Sequence, residues 1–396
     1  MESCSSVFVV MMNYTQGSLM DSMFFEMHKA LCCRGCLSSL RMAKEELASS
    51  PDFVLEKMKN RHGSADFSKM IFVDSNLKIH IQAPFPIKRI RILTDAPYSQ
   101  IKYFKNIGAS DKITVVDRTH LEILSFLDVK HDAFFLPHAG MMPLSGLPGI
   151  FDRDIDILFV GSIPFQPTRE MLDGKASLLR AKDLGASLLR GTAERILEKS
   201  QEPFAAFREA CDEYSFDLDV LDSEAKFNCC EALAFLSRWC ESKKRIDLLK
   251  ALKSVPVAIV GEIPLSVRNS LGSHHMYYGP LLGYQVLMLM QRAKILLNSV
   301  SVFPRGAHER VFYGMACGAC VVTDKSEYLK EYYNDKEDLF YFPDNVGMFD
   351  DFFVEKLKNL DELQKITASA MLKYENRDTW YCRSEEVINI AKKDFF

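Results

Sequence analysis

Short apolar, β-prone runs alternate with helix-forming stretches in both halves of the chain. Residues 7–12, 88–94 and 113–116 are predicted strands of the first half, and residues 155–160 and 255–260 restart the pattern in the second half. Such alternation is typical of parallel sheets whose faces are covered by helices. A chain of 396 residues is long enough for two hydrophobic cores of ordinary size. The sequence therefore predicts an α/β protein with two parallel-sheet domains.

The boundary between the two domains is expected near residue 145. Residues 139–149 contain two prolines and three glycines, a composition that suits a linker. Residues 1–145 then form an N-terminal domain and residues 146–375 a C-terminal domain. Residues from about 169 to 253 are mostly helix-forming and are predicted to be a helical insertion in the second domain. Residues 42–60 are predicted to form another helix, and residues 13–18 a polar loop after the first strand.

Composition and charge narrow the classes of function. Hydrophobic residues make up 48% and charged residues 26% of the chain, which is the balance of a soluble globular protein. The net charge of −4 gives no support to a general nucleic-acid surface. No run of 18 apolar residues predicts a membrane span, although peripheral contact with a membrane stays open. The first twelve residues lack the pattern of a signal peptide, so a cytoplasmic protein is expected.

The eleven cysteines are predicted to be reduced thiols rather than disulfides or zinc ligands. Cys33 and Cys36 have zinc-like spacing, as do Cys317 and Cys320. The second pair lies where small residues are expected to pack a helix against a strand. The neighbouring histidines His274 and His275 have no third ligand nearby in the sequence. No metal site is therefore predicted.

The sequence RGAHERVFYGMACGACVVTD, residues 305–324, combines charged side chains with a predicted helix start. A polar loop holds Arg305, His308, Glu309 and Arg310, and a helix, a turn at Gly318 and an apolar strand follow. Free backbone N–H groups and the helix dipole favour an anion at a helix N-terminus. Arginine side chains suit a diphosphate, and a glutamate can accept hydrogen bonds from sugar hydroxyls. A solvated charged loop is the alternative, but its place between a strand and a helix favours a ligand site.

Residues that follow the strands of the first half are candidates for the opposite side of the crevice. Asp95 and Tyr98 follow the predicted strand 88–94, and the carboxyl ends of parallel strands face the ligand in such folds. Asp95 is equally suited to cap the next helix. His120 follows the strand 113–116 and could reach the crevice, although a histidine in a first helical turn is often a surface residue. His138 follows the predicted strand 133–136.

The segment HERVFYGMACGACVVTD resembles the donor-binding signature of glycosyltransferases of the GT-B fold, which have two facing Rossmann-like domains. Its HER opening is most similar to the spore-maturation CgeB-like branch. The common signature has two glutamates eight positions apart, and this sequence has Arg305 and Tyr313 at those places. Glu309, one helical turn before Tyr313, is expected to replace the second glutamate. The resemblance implies a hexosyl-type glycosyltransferase that uses a nucleotide sugar and needs neither metal nor cofactor, with retention of configuration.

The resemblance also implies roles for individual residues. Arg310 and Arg305, with Arg169, would stabilise the leaving diphosphate, His308 would lie near it and Glu309 would hold a donor hydroxyl. The residues implied to contact the donor are Gly161, Ser162, Arg169, Tyr278, Arg305, Tyr313 and Gly318. Those implied on the acceptor side are Asp95, His120 and His138. Residues 376–396 would form a last helix that returns to the N-terminal domain, and the acceptor would be a glycan, a lipid-linked glycan or a protein.

Two other functions fit the same sequence. Because both acidic positions of the signature are changed, the chain is alternatively a degenerate GT-B scaffold that binds a nucleotide, glycan or protein without turnover. A sugar epimerase or isomerase on the same fold is the third reading. It is disfavoured because such enzymes need further acid and base groups, and only His120 and His138 offer themselves.

Overall fold

The computed structural model describes residues 7–13, 19–43, 70–77, 87–129, 131–179, 182–300 and 302–395. Its strands are β1 Val7–Asn13, β2 Leu37–Ala43, β3 Met70–Ser75, β4 Lys88–Leu93, β5 Asp111–Val115, β6 Ala133–Phe135, β7 Ile155–Val160, β8 Val257–Val260, β9 Met276–Gly279, β10 Ala293–Asn298, β11 Cys320–Thr323 and β12 Phe340–Tyr341. Its helices are α1 Leu19–Cys33, α2 His120–Phe126, α3 Arg169–Lys175, α4 Lys182–Lys199, α5 Pro203–Glu213, α6 Ser223–Ala251, α7 Leu265–Arg268, α8 Gly283–Arg292, α9 Glu309–Ala316, α10 Glu327–Tyr332, α11 Phe349–Lys358, α12 Leu360–Glu375 and α13 Trp380–Phe395. Short 3-10 segments cover Pro97–Asn106, Ile150–Asp152, Ala176–Leu179 and Val346–Met348.

The described strands form two separate parallel sheets. The first sheet has the order β2-β1-β3-β4-β5-β6 and the second the order β12-β11-β10-β7-β8-β9. The central strands of both sheets are buried on both faces, which explains their continuous apolar runs. In the second sheet the strand order reverses between β7 and β10, so the loops after these two strands flank a crevice. This crevice opens toward the N-terminal domain.

Two stretches have a secondary structure different from that expected from the sequence. Residues 37–43 form strand β2, which pairs in parallel with β1, so the helix predicted from Met42 does not start there. The remainder of that predicted helix and residues 14–18 of the predicted polar loop lie outside the described residues. Met276–Gly279 form the edge strand β9, which the sequence did not predict. Pairing with a neighbouring strand outweighs local propensity at both places.

Helix α13 completes the core of the N-terminal domain. Trp380, Val387 and Ile390 are buried in the same apolar cluster as β1, β3 and β4. Backbone hydrogen bonds fix the start of this helix, because Trp380 N–H donates to the Gly140 carbonyl at 2.9 Å. The chain thus returns from the second domain and packs against the first.

The helices α3 to α6 form a layer between the two domains. Helix α6 has 29 residues and is about 43 Å long at 1.5 Å per residue. Tyr98 of the N-terminal domain is fully buried in the core of this layer, and its hydroxyl lies 3.0 Å from Ser237 Oγ. The last turns of α6 pack in the core of the C-terminal domain through Ile246 and Leu249. Within the described part of the chain, no helix combines the length and the apolar character needed to cross a membrane.

The loop after β10 rests directly on the N-terminal domain. The backbone N–H of Arg305 donates to Asp117 Oδ2 at 2.8 Å, and a Cβ at Gly306 would lie only 2.2 Å from the Val116 carbonyl oxygen. Only glycine fits this close approach without a shift of the backbone. The polar segment before α9 is therefore held at the boundary between the two domains.

Candidate functional site

A cavity of about 620 Å³ lies between the two domains, within the range usual for small-molecule sites. The N-terminal sheet contributes residues after β3, β4 and β6, the C-terminal domain contributes the loop after β10 with the start of α9, and α6 forms a third wall. Its lining includes Asn76, Thr94, Asp95, His138, Glu231, Glu241, Arg245, Phe303, His308, Glu309 and Arg310. A larger depression of about 790 Å³ lies between α2 and α5, but most of its charged residues are acidic and its two cations are ion-paired. The interdomain cavity is the better candidate for a ligand site, because the carboxyl ends of several strands and the start of a helix meet there.

Arg310 lies in the first turn of α9 and is the central cation of the cavity. Its side chain is only 8% exposed, and its guanidinium donates to Asn298 Oδ1 at 3.3 Å and to His308 Nε2 at 2.9 Å. Burial, with a smaller contribution from the charge of Arg245, lowers the pKa of Arg310 to about 10, so it stays charged near neutral pH. Both hydrogen-bond partners are neutral, and Arg310 forms no ion pair with a carboxylate of the described residues. A buried cation that no carboxylate of the described residues pairs with favours an anionic ligand.

His308 connects Arg310 with Glu309. A guanidinium can only donate, so Nε2 of His308 accepts from Arg310 and the proton of the neutral ring resides on Nδ1. Nδ1 lies 3.0 Å from the carboxylate oxygen Oε2 of Glu309. In this tautomer the backbone N–H of Arg310, 3.2 Å from the same nitrogen, is left for another acceptor. Burial first, and then the nearby charge of Arg310, lowers the pKa of His308 well below 6.5.

Arg245 of α6 is a second buried cation of the cavity. It was not identified as a site residue from the sequence. Its Nη1 donates to the Ser162 carbonyl at 2.7 Å, and its Nη2 bonds Glu241 Oε1 at 2.5 Å. Gly161 and Ser162 thus form the loop after β7 that Arg245 contacts across the crevice. The arginine expected in this place was Arg169, which instead lies exposed at the start of α3. Sequence order favoured Arg169 because it follows β7 directly, whereas only packing brings Arg245 to the same loop.

The N-terminal wall of the cavity carries Asp95 and His138. His138 Nε2 donates to the Thr94 carbonyl at 3.1 Å and lies 3.6 Å from Glu309 Oε2 of the opposite domain. Phe303 packs edge-on against the His138 ring, with ring centroids 5.8 Å apart. Asp95 is exposed to the cavity and accepts hydrogen bonds from Asn76 and Gln100. His138 and Asp95 therefore face the residues of α9 across the cleft.

Two residues of the signature, Tyr313 and Gly318, were expected to contact the donor but lie away from the cavity. Tyr313 is fully buried, and its hydroxyl lies 2.9 Å from Ser22 Oγ of α1. Gly318 ends the turn after α9 with a φ of +66°, and a Cβ there would lie 2.7 Å from Arg153 Nη2. Neither residue lines the cavity. Tyr313 packs the two domains together, and Gly318 supplies the left-handed conformation of the turn.

Three further expected site residues lie outside the cavity. Tyr278 is 40% exposed on β9, two strands away from the crevice between β7 and β10. The side chain of Arg305 is ion-paired with Glu327 at 2.7 Å. His120 is fully buried behind Phe303, with ring centroids 5.8 Å apart. The sequence predicted that all three contact a ligand. The structure does not support this, because Tyr278 is distant along the sheet, Arg305 is ion-paired and His120 is buried.

The cysteine pairs with zinc-like spacing are separate from the cavity. Cys317 and Cys320 are buried, and burial raises the pKa of the Cys317 thiol to about 12. Cys36 is buried and Cys33 exposed. Across the described ranges, no three His, Cys, Asp or Glu side chains are grouped so that they could hold a metal ion.

Comparison with known proteins bears on both the site and the fold. Residues 243–389, which contain Arg245 and the whole α9 segment, match the family model described as Glycosyl transferase-like. A search of curated proteins found no match to the chain.

Solved structures resemble the whole chain at low sequence identity. Sucrose-phosphate synthase from Thermosynechococcus elongatus is 9% identical with a TM-score of 0.53, and the alignment covers 98% of each chain. T4 phage BGT in complex with its UDP-glucose substrate is 12% identical with a TM-score of 0.53, covering 98% of this chain and 99% of that one. AviGT4, a glycosyltransferase involved in avilamycin A biosynthesis, is 10% identical with a TM-score of 0.52 and 98% coverage of each chain. The predicted α/β architecture of two parallel-sheet domains is thereby confirmed: the chain has the GT-B fold, and residues 243–389 form a glycosyl transferase-like region within it.

Proposed function

We propose that the protein is a glycosyltransferase that moves a sugar from a nucleotide-sugar donor to a hydroxyl acceptor. The observation that carries this proposal is Arg310, a buried cation that faces the interdomain cavity and whose hydrogen-bond partners among the described residues are neutral. The family match of residues 243–389 supports transfer of a sugar. T4 phage BGT, which has a similar fold, was solved with UDP-glucose, and this supports a nucleoside-diphosphate sugar as the donor.

The diphosphate is proposed to bind between Arg310 and Arg245 at the N-terminus of α9. Two guanidinium groups and the first backbone N–H groups of the helix would stabilise the negative charge that grows on the leaving group. These groups supply the positive charge without a metal ion or other cofactor. Glu309, whose Oε2 lies 3.0 Å from His308 Nδ1, would hold a hydroxyl of the donor sugar. Arg305 would contribute only at long range because its side chain is paired with Glu327.

The finer features of the reaction are also proposals. We propose a hexosyl donor, an acceptor that is a glycan, a lipid-linked glycan or a protein, and membership of the CgeB-like branch. The cytoplasm is the proposed compartment, because the described cysteines are free thiols. The resemblance also implies retention of configuration, an expectation that depends on which group takes the proton of the acceptor.

Nucleotide binding to matched arginine variants tests the site. Titration calorimetry with UDP, GDP, ADP and CDP, each with and without EDTA, should identify one nucleotide that binds equally in both conditions. Arg310→Met keeps the volume of the side chain but removes its charge, and should weaken that binding about 30-fold or more, since loss of a buried charge partner costs 2–5 kcal/mol. Arg169→Ala removes an exposed arginine outside the cavity and should bind normally.

Incubation with the matching nucleotide sugar then distinguishes an enzyme from a scaffold. Release of free nucleotide from the matching nucleotide sugar, with a new glycoside on an acceptor, would support transfer. Tight binding without any turnover of the sugar over a panel of acceptors would instead favour the degenerate scaffold. Unchanged nucleotide affinity in Arg310→Met would contradict the proposed position of the diphosphate.

A further inference from the structure

An exposed carboxylate at the N-terminal wall of the cavity is held by two buried amides. Oδ2 of Asp95 accepts from Asn76 Nδ2 at 2.8 Å and from Gln100 Nε2 at 3.2 Å. Asn76 and Gln100 are only 7% and 5% exposed, whereas Asp95 is exposed at the cavity. Burying two amide side chains is unfavourable unless their hydrogen bonds are satisfied. Here their N–H groups are used to orient one carboxylate that faces a cleft.

Asn76 is itself fixed in an uncommon backbone conformation. Its φ is 52°, in the left-handed region, directly after β3. Its amide oxygen accepts from the Thr94 N–H at 2.9 Å, and its amide nitrogen donates to Thr94 Oγ1 at 2.7 Å. Backbone outliers that the surrounding structure over-determines occur often at functional sites. The ends of β3 and β4 are thus joined in an arrangement that places the carboxylate of Asp95.

A capping role for Asp95 is not what the structure shows. The 3-10 segment Pro97–Asn106 that follows has Ala96 at its N-cap, with no side-chain cap hydrogen bond. Proline at the first positions removes an N–H donor that a cap would satisfy. The structural reason that the sequence offered for an aspartate at this position therefore does not apply.

Three other carboxylates line the cavity, and none of them comes from the N-terminal domain. Glu241 pairs with Arg245 at 2.5 Å, and Glu309 Oε2 lies 3.0 Å from His308 Nδ1 on the same wall as the arginines. Glu231 lies exposed on α6. Asp95 is the carboxylate that the N-terminal domain presents to the cavity, opposite the cations Arg245 and Arg310. A base on one wall and a leaving-group site on the other is the arrangement that an in-line displacement requires.

We propose that Asp95 is the general base of the reaction, an inference that rests on the proposed glycosyltransferase function. The Asp95 carboxylate takes the proton of the acceptor hydroxyl, and the acceptor oxygen forms a bond to the anomeric carbon. The bond from that carbon to the phosphate oxygen breaks, and its electron pair leaves with the nucleoside diphosphate at Arg245 and Arg310. Attack from the side opposite the leaving group inverts the configuration, which differs from the retention implied by the resemblance. Asn76 and Gln100 are positioning residues for the base.

The first test is the stereochemical course, read by NMR of the fresh glycoside formed from an α-linked donor. A β-linked product supports the proposal. An α-linked product, with normal nucleotide binding, overturns the assignment of Asp95 and leaves the glycosyltransferase function in place. Failure of the unchanged protein to bind any nucleotide overturns both proposals.

The second test compares Asp95→Asn with Asp132→Asn, which removes an exposed carboxylate of the same domain that pairs with Lys112. Asp95→Asn should lower kcat by about 10²- to 10⁴-fold, the range for a lost general base, with unchanged affinity for the nucleotide. The acidic limb of the pH–rate profile, where the base becomes protonated, should disappear with it. Asp132→Asn should keep the rate and the profile. A rate for Asp95→Asn within threefold of the unchanged protein would overturn the proposal.

Gln100→Leu tests the positioning role separately. The lost N–H donor stabilised the ionised carboxylate, so the pKa of the acidic limb should rise while the nucleotide affinity stays constant. A merely structural role would lower the rate without moving this limb. An acidic limb at its original pH would overturn the positioning role of Gln100.

Discussion

The two domains bury arginine side chains in opposite ways. In the N-terminal sheet, Arg91 is fully buried and bonds Asp74 Oδ1 at 3.0 Å and Asp111 Oδ2 at 3.3 Å. In the C-terminal domain, Arg310 is almost as buried but, among the residues that the structure describes, its side chain bonds only the neutral side chains of Asn298 and His308. Arg91 lies inside a sheet, whereas Arg310 faces a cavity of about 620 Å³.

This difference separates a structural charge from a binding charge. A buried ion pair compensates its own desolvation, so removing one partner leaves an uncompensated charge. An arginine without a carboxylate partner has already paid this cost in the free protein, and it is compensated when an anion binds. The pairing state of a buried arginine thus indicates whether its charge stabilises the fold or awaits a ligand.

The largest expected effect is on the stability of the N-terminal domain. Arg91→Met should lower the free energy of unfolding by about 3–5 kcal/mol, because Asp74 and Asp111 lose a shared partner. Arg310→Met should leave the free energy of unfolding unchanged or raise it, while it weakens nucleotide binding. Urea unfolding of both variants measures the contrast. Equal destabilisation by the two substitutions would break the distinction between paired and unpaired arginines.

A second, smaller effect is expected from a buried group that can lose its charge. Burial lowers the pKa of His120 from 6.5 to about 4, so the folded protein holds this ring neutral. The unfolded chain binds a proton below pH 6.5 and the folded protein does not, so stability is full above pH 6.5 and falls between 6.5 and about 4. The difference amounts to roughly 3 kcal/mol.

Unfolding experiments from pH 7 to pH 4 measure this dependence. His120→Phe should unfold with a weaker dependence on pH, since Phe303 can pack against another aromatic ring. An unchanged slope in the variant would show that other groups, such as the partly buried His308, dominate the acid sensitivity. Arg310, which stays charged over this range, should contribute nothing to the slope.

The smallest effect is expected at Tyr313, on the same helix as Arg310. Tyr313→Phe removes one hydrogen bond to Ser22 and should cost about 0.5–1.5 kcal/mol of stability. The nucleotide affinity should stay the same, because Tyr313 does not line the cavity. A clear loss of affinity in this variant would restore the donor contact that the signature implied and would contradict the burial of Tyr313.

The sequence predicted those parts of the fold that depend on local pattern. The buried strands β4 and β7 match predicted apolar runs, and the start of α9 brings together His308, Glu309 and Arg310 as expected. The edge strands β2 and β9 were missed because β2 contains two serines and an arginine and β9 precedes a Gly-Pro turn. Pairing with a neighbouring strand, rather than local pattern, fixes both. Arg245 was missed because it lies on a long helix far away along the chain. Its place in the cavity depends on how the helical layer packs, which a linear pattern does not contain.

The return of α13 to the first domain has a consequence for synthesis on the ribosome. Trp380, Val387 and Ile390 complete the core around β1, β3 and β4, so the domain made first is the last to be finished. Residues 155–341, which contain the second sheet, can fold while the first sheet still exposes the apolar face that α13 will cover. A ribosome paused before residue 380 would therefore present a folded C-terminal sheet and an incomplete N-terminal one. During that interval the N-terminal sheet is the natural client of a chaperone.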